Sequence, residues 1–193
     1  MDIPQINKIE SKDHDAIKAS VTLGFSSDPL LRYFFREPHK YLRSFSEFMD
    51  AFLSLSIPAG GAYADSNFSG GSIWLPPGVH LDDDELSHTF ADIPEERLET
   101  VLETLAKFSE YHPDEDHWYL AFIGVDPSKQ GQGIGSLILK ETLKKVDEDG
   151  LVAYLESSNP MNMSLYERHG FETVGRIEIK DCPPAHPMIR QPR

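Results

Sequence analysis

Apolar and polar residues alternate along this chain with two different periods, and each change of period marks a boundary between elements. Residues 3–9, IPQINKI, read as an edge strand with an early proline. Asp13 stands where it can cap a helix running to Leu23, Asp28-Pro29 starts a second helical stretch, LLRYFF, and Pro38 opens a third that reaches Leu55. GGAYAD and GGSIWL then read as two short strands joined by a Ser/Asn/Gly turn and ended by Pro76-Pro77-Gly78. Leu98, Val101, Leu102, Leu105 and Phe108 share one helical face up to His112-Pro113. Asp92 and Glu95 give that helix a capping-box-like start, with Pro94 in its first turn.

The second half opens with HWYLAFIGV, 117–125, apolar almost throughout, as suits a central strand buried on both faces. Asp126-Pro127 ends it. After three glycines at alternate positions a helix runs from about Gly135 to Asp147, with Leu139, Leu143 and Val146 facing inward, and stops at Gly150. LVAYLE is a strand, and Asn159-Pro160 starts a short helix that Gly170 ends. FETVGRIEI reads as another strand and HPMIR as a last one.

At 193 residues the pattern fits one domain, residues 1–193, with a helical insertion at about 79–116. Charge singles out that insertion: residues 82–116 carry a net −11 of the chain's −14. Residues 129–145 run the other way, with Lys129, Lys140, Lys144 and Lys145 against Glu141. Positive charge is therefore kept near the glycines, as an anion site requires. The overall acidity argues against a nucleic-acid partner, which needs clustered Lys and Arg. No apolar stretch is long enough to cross a bilayer and the N-terminus has no leader pattern, so the expectation is a cytoplasmic protein without a membrane partner. The single cysteine, Cys182, cannot form an internal disulfide and sits beside Pro183-Pro184, where a surface turn is expected.

Glycines ahead of a helix offer backbone amides to an anion. Walker A fails, because Gly135 is followed by Ser136 with no lysine. A dinucleotide fingerprint is a better rival, with Glu156 lying 21 residues after Gly135. Its glycines should, however, be spaced G-x-G-x-x-G and follow the strand at once. Here they are spaced G-x-G-x-G and begin six residues after Val125.

Gln130, Gly133 and Gly135 instead make Q-x-x-G-x-G between a strand ending IGV and a helix, which resembles the pyrophosphate loop of the GNAT acetyltransferase superfamily. YLESSNPMNMSLYERHGF supplies Asn159, Tyr166 and Gly170-Phe171 in that family's order. The layout from Trp118 onward is most similar to puromycin N-acetyltransferase-like members. The resemblance implies a mixed α/β (α+β) three-layer fold, its largely antiparallel central sheet flanked by helices and splayed between the strands at 117–125 and 152–157. It also implies acetyl-CoA as acetyl donor, its diphosphate on the amides of Gln130, Gly131, Gln132, Gly133, Ile134, Gly135 and Ser136. Ile123, Gly124 and Val125 would run along the pantetheine, and Asn159 would bond the pantetheine amides.

Acyl transfer needs an unprotonated amine, stabilisation of the carbonyl oxygen and a proton for the departing thiolate. Tyr166 is the expected general acid by family position. Many relatives carry a glutamate on the central strand where this chain has Tyr119, so the base is expected to be Glu156, with His117 and His169 as other titratable candidates. Glu156 could equally be a structural acceptor for the amides of SSN. Phe25, Phe34, Phe35 and Trp74 are expected to line an acceptor cleft closed by the loop at 180–186. The histidines show no metal-ligand spacing, so no metal is expected. The function implied is acetyl-CoA-dependent transfer to a primary amine of a small molecule, an antibiotic or other xenobiotic among them, by a monomer or homodimer. A peptide or protein amine as acceptor, or a non-catalytic acyl-CoA sensor, are the rivals.

Overall fold

A computed structural model describes residues 4–81 and 86–193, so the acidic run 82–85 lies outside the described residues. Seven strands form one sheet in the order β1-β2-β3-β4-β5-β7-β6. They are β1 (Ile6–Lys8), β2 (Ala62–Asp65), β3 (Gly70–Leu75), β4 (His117–Val125), β5 (Val152–Ser157), β6 (Glu172–Thr173) and β7 (His186–Arg190). Every neighbouring pair is antiparallel except β4 and β5. That parallel pair is short: His117, Trp118 and Tyr119 face Val152, Ala153 and Tyr154, and there the pairing ends. Beyond Tyr119, β4 has no strand on its β5 side, and the sheet splays.

Helices cover both faces. One carries α1 (His14–Gly24), α2 (Pro29–Phe34), the short α3 (Pro38–Lys40), α4 (Ser46–Ala59) and α5 (Glu95–Tyr111). A single π-helical turn, Tyr41–Phe45, joins α3 to α4. Their core gathers Ile17, Val21, Phe45, Met49, Leu53 and Val101. The other face carries α6 (Ile134–Asp149) and α7 (Pro160–Arg168), packed through Ile138, Leu139, Leu143, Val146 and Tyr166. The helix starts and stops follow glycine and proline. Gly133, left-handed at φ 82°, precedes α6, and Gly150 at φ 66° returns its amide to Asp147 and Val146 to end it.

β4 carries one irregularity. Ile73 faces Phe122 but Trp74 faces Leu120, so Ala121 is an extra residue with no partner on β3. Tyr119, Ala121 and Phe122 consequently belong to one face, and Trp118, Leu120 and Ile123 to the other. The strand is also less enclosed than an apolar run suggests, since His117, Tyr119 and Ala121 are only half-buried.

Several expectations need correction. Asp13 does not cap α1; its carboxylate closes a short 3-10 turn with Glu10. Asp92 does not cap α5 either, because its oxygens bind Arg43 and Ser44, and Pro94 occupies the cap position. The strand expected over FETVGRIEI shrinks to two residues and a bridge between Ile177 and Ala185. Val174 still donates to the Pro187 carbonyl, but Gly175 lies against the Tyr111 ring and the regular ladder stops there. Cys182 is buried against the core rather than at the surface. Among the described residues no helix is long and apolar enough to cross a membrane.

Candidate active site

α6 begins without a capping side chain, and the turn before it runs through Gly131 at φ 75° and Gly133 at φ 82°. These left-handed values favour glycine, and a Cβ on either would project into open space. The first intrahelical bond of α6 is from Leu137 to the Gly133 carbonyl. Among the described residues the amides of Gly131 to Ser136 have no recorded acceptor outside that helix, so they are free at its positive end. This arrangement fits a diphosphate. The exposed Gln130 side chain donates from Nε2 to the Val125 carbonyl at 3.1 Å, which ties the loop to the end of β4. Ser136 Oγ lies 2.7 Å from His169 Nε2. Burial, together with Arg168, Arg190, Arg193 and Lys140, lowers the His169 pKa, so a neutral ring stands beside the loop.

Gly124 serves packing at least as much as access. A Cβ there would reach 3.0 Å from the Val21 carbonyl, and one on Gly24 would reach 2.6 Å from the Val125 nitrogen. The two glycines let α1 lie directly on β4. Asn159 accepts from the Met161 amide at 3.0 Å as N-cap of α7, and it lies outside the cavity that Ser158 and Asn162 line.

Where β4 and β5 part, a cavity of about 590 Å³ opens between α2, α4, α5 and the two strands. Glu156, Tyr166, Ile123, Phe25, Phe34 and Phe35 all line it. Trp74 does not: it packs at 6.4 Å against Trp118 on the opposite face. The wall expected from the loop at 180–186 comes instead from α5, while that loop is tied down by Tyr33 to Asp181 and Lys180 to Glu99.

Glu156 is buried, its side chain 3% exposed. Tyr119 donates its hydroxyl to Oε2 at 2.9 Å, so the side chain standing where relatives carry a carboxylate instead holds one that β5 supplies. Among the described residues Oε1 has no hydrogen-bond donor within bonding geometry; His112 Nε2 stands 3.4 Å from it, and the buried Tyr154 phenol also feels the Glu156 charge. His112 in turn lies 3.0 Å from His117, whose Nδ1 meets the Glu115 carbonyl at 2.8 Å. Burial lowers the His117 pKa and, with the Glu156 charge, raises that of Tyr119 well above the ordinary phenol.

Tyr166 is buried on α7, edge-on to Phe171. Burial and the Asp28 carboxylate raise its pKa, holding the phenol protonated. Asp28, which the sequence marks only as a helix start, borders the site through Ser158. Its Oδ1 caps α2 through the Leu30 and Leu31 amides, and its Oδ2 accepts from Ser158 at 2.6 Å, tying α2 to the loop after β5. Burial raises the Asp28 pKa. Its signal was the Asp-Pro pair; His112 had only a helix-end position to mark it. Among the described residues no group of three or more ligating side chains is placed to hold a metal.

The model of the acetyltransferase (GNAT) family matches residues 65–171. The chain is 25% identical over 206 residues to an uncharacterized N-acetyltransferase of Schizosaccharomyces pombe, covering 96% of this chain and 82% of that protein. Its fold superposes on a Corynebacterium glutamicum structure described as histone acetyltransferase HPA2 and related acetyltransferase, with a TM-score of 0.73 at 22% identity, over 98% of this chain and 97% of that one. Arylalkylamine N-acetyltransferase 2 of Aedes aegypti shares the fold at a TM-score of 0.69 and 14% identity, over the whole of both chains. With its splayed mixed sheet, glycine loop and matched segment, the chain belongs to the GNAT family of N-acetyltransferases.

Proposed function

We propose that this chain is a single catalytic domain, interrupted at about 79–116, that transfers an acetyl group from acetyl-CoA directly to a primary amine of a small molecule. One observation carries the reading: a buried carboxylate with a free oxygen, Glu156, and a buried phenol, Tyr166, line the same cavity beside the open edge of β4. Enclosure on the α5 side favours a small acceptor over a peptide, which needs an open groove for its backbone. The likeness to puromycin N-acetyltransferase-like members makes a xenobiotic amine a reasonable candidate.

Acetyl-CoA supplies the thioester. The amides of Gly131 to Ser136 would hold its diphosphate at the positive end of α6, and residues 123–125, with the Asn159 side chain, would bind the pantetheine arm. Glu156 Oε1 takes the proton of the incoming ammonium, leaving a nucleophilic nitrogen. A backbone N–H on the unpaired edge of β4 stabilises the carbonyl oxygen as the new C–N bond forms. Tyr166 would give its proton to sulfur as the C–S bond breaks and be reprotonated as the adduct nitrogen sheds its second proton, so that amide and thiol leave and one proton remains on Glu156.

Purified protein with acetyl-CoA and a panel of primary amines should release free thiol, and CoA but not NAD should raise the melting temperature. Binding of CoA without turnover of any amine would make the chain an acyl-CoA sensor instead.

A further inference from the structure

The cavity wall remote from the glycine loop is hydrocarbon. Phe34 comes from α2, Phe48 and Phe52 from α4, Leu105 and Phe108 from α5. Among the described lining residues only Glu156 and His112 can carry charge. We propose that the acceptor is a primary monoamine with a bulky aromatic or aliphatic body and no second cationic group. This rests on the acetyl-transfer reading above and narrows its substrate.

Glu156 can receive one ammonium. Among the described residues, a second cation on the same molecule would enter the Phe and Leu wall with no counter-charge, at a cost of several kcal/mol. Cation–π attraction to a phenylalanine ring, about 0.5–2 kcal/mol, does not replace that counter-charge. A lysine peptide would in addition bring backbone amides to a wall that offers them no partners.

Initial rates of thiol release should be measured with tryptamine and 2-phenylethylamine against agmatine, spermidine and a lysine peptide. The arylalkylamines should exceed the others in kcat/KM by about a hundredfold. Leu102 lines the cavity yet is 46% exposed, so Leu102→Asp should fold, and it should raise the agmatine-to-tryptamine ratio by about tenfold. Equal or faster turnover of agmatine, spermidine or the peptide overturns the narrowing while leaving acetyl transfer intact, as does a ratio unmoved by Leu102→Asp. No turnover of any amine overturns the transfer reading itself.

A second inference stands on the direction of hydrogen bonds. A carbonyl only accepts, so His117 Nδ1 carries the hydrogen in its 2.8 Å contact with Glu115. The Nε2 of a neutral His117 is then an acceptor, and His112 Nδ1 must donate to it. That leaves His112 Nε2 bare, facing the donor-free Oε1 of Glu156. We infer that His112 receives the acceptor's proton from Glu156, and that His117 is the positioning residue that keeps His112 Nε2 unprotonated beforehand. The N–H bond of the ammonium breaks, an O–H forms transiently on Glu156, and an N–H forms on His112. The resulting imidazolium, its side chain 30% exposed, donates to Glu156 and His117 until it discharges to solvent. Tyr119 and Tyr154 flank the His112 ring, and His80 and Glu115 add their fields at His117.

His112→Ala should lower kcat by about tenfold or more, leave the KM for acetyl-CoA unchanged, and recover activity as imidazole is added. His112→Phe keeps the ring packing and should be as slow as the alanine variant without imidazole. Near-normal kcat in His112→Phe, or an alanine variant indifferent to imidazole, overturns the assignment.

Discussion

Tyr119 on β4 donates its hydroxyl to Glu156 on β5, so the two strands are joined at the point where their backbone pairing stops. The bond occupies one carboxylate oxygen and turns the other toward the cavity. Tyr119→Phe removes the 2.9 Å hydroxyl donor to Glu156. A hydrogen bond to a charged acceptor is worth about 1.5–3 kcal/mol. We expect kcat to fall by about tenfold or more, with acetyl-CoA affinity unchanged in calorimetry.

Tyr166→Phe should lower kcat by about a hundredfold or more while acetyl-CoA binds as before, since positioned acid–base groups contribute about 10²–10⁴. Burial and Asp28 raise this phenol above its ordinary value of 10.0. It therefore stays protonated through pH 10, and the wild-type kcat profile should show no alkaline loss attributable to it below that pH.

Asp28→Asn tests a buried charge. The folded pKa of Asp28 is raised above its model-peptide value of 3.8, so the folded state holds the proton more tightly than the unfolded chain. Stability tied to this group is therefore present at low pH and is lost as pH rises from about 3.8 through the raised value. Asparagine can still cap α2 and meet Ser158. Asp28→Asn should accordingly be as stable as wild type or more so at pH 7 in urea titrations, and that advantage should disappear in acid. Asp28→Ala, lacking the cap, should lose about 1 kcal/mol.

Gly24→Ala places a methyl 2.6 Å from the Val125 nitrogen and 2.7 Å from the Gly124 Cα. Backbone cannot step aside as a side chain can, so we expect a loss of about 3 kcal/mol, read as a lower melting temperature. Gly133→Ala should behave differently. Its methyl meets nothing within 4 Å, and the φ of 82° costs about 1–2 kcal/mol, so the fold survives while CoA affinity falls.

The elements were largely legible because their punctuation is local. Gly150 and Pro160 each mark a boundary through their own backbone geometry, and HWYLAFIGV became a strand with the bounds expected of it. Contacts between distant segments were not legible in the same way. Asp92 has the residue type and spacing of a helix cap, yet Arg43 and Ser44, far away in sequence, claim its oxygens. Cys182 beside two prolines reads as a turn, and only the packing of that turn against α5 buries it. Glu156 and Tyr166 could be named from their setting, whereas His112 acquires meaning only when the end of α5 is folded over β4 and β5.

The extra residue in β4, Ala121, inverts the phase of the strand midway. Odd-numbered side chains point to the cavity before it and even-numbered ones after it, so Tyr119 and Phe122 share a wall although three positions separate them. A strand with strict alternation of polar and apolar residues could not absorb that inversion without turning polar groups into a core. This one can, because positions 118–123 are all apolar or aromatic. The uniformity that hides the strand's periodicity is thus what permits it, and deleting Ala121 should restore strict alternation while leaving Phe122 and Ile123 on the faces they now occupy.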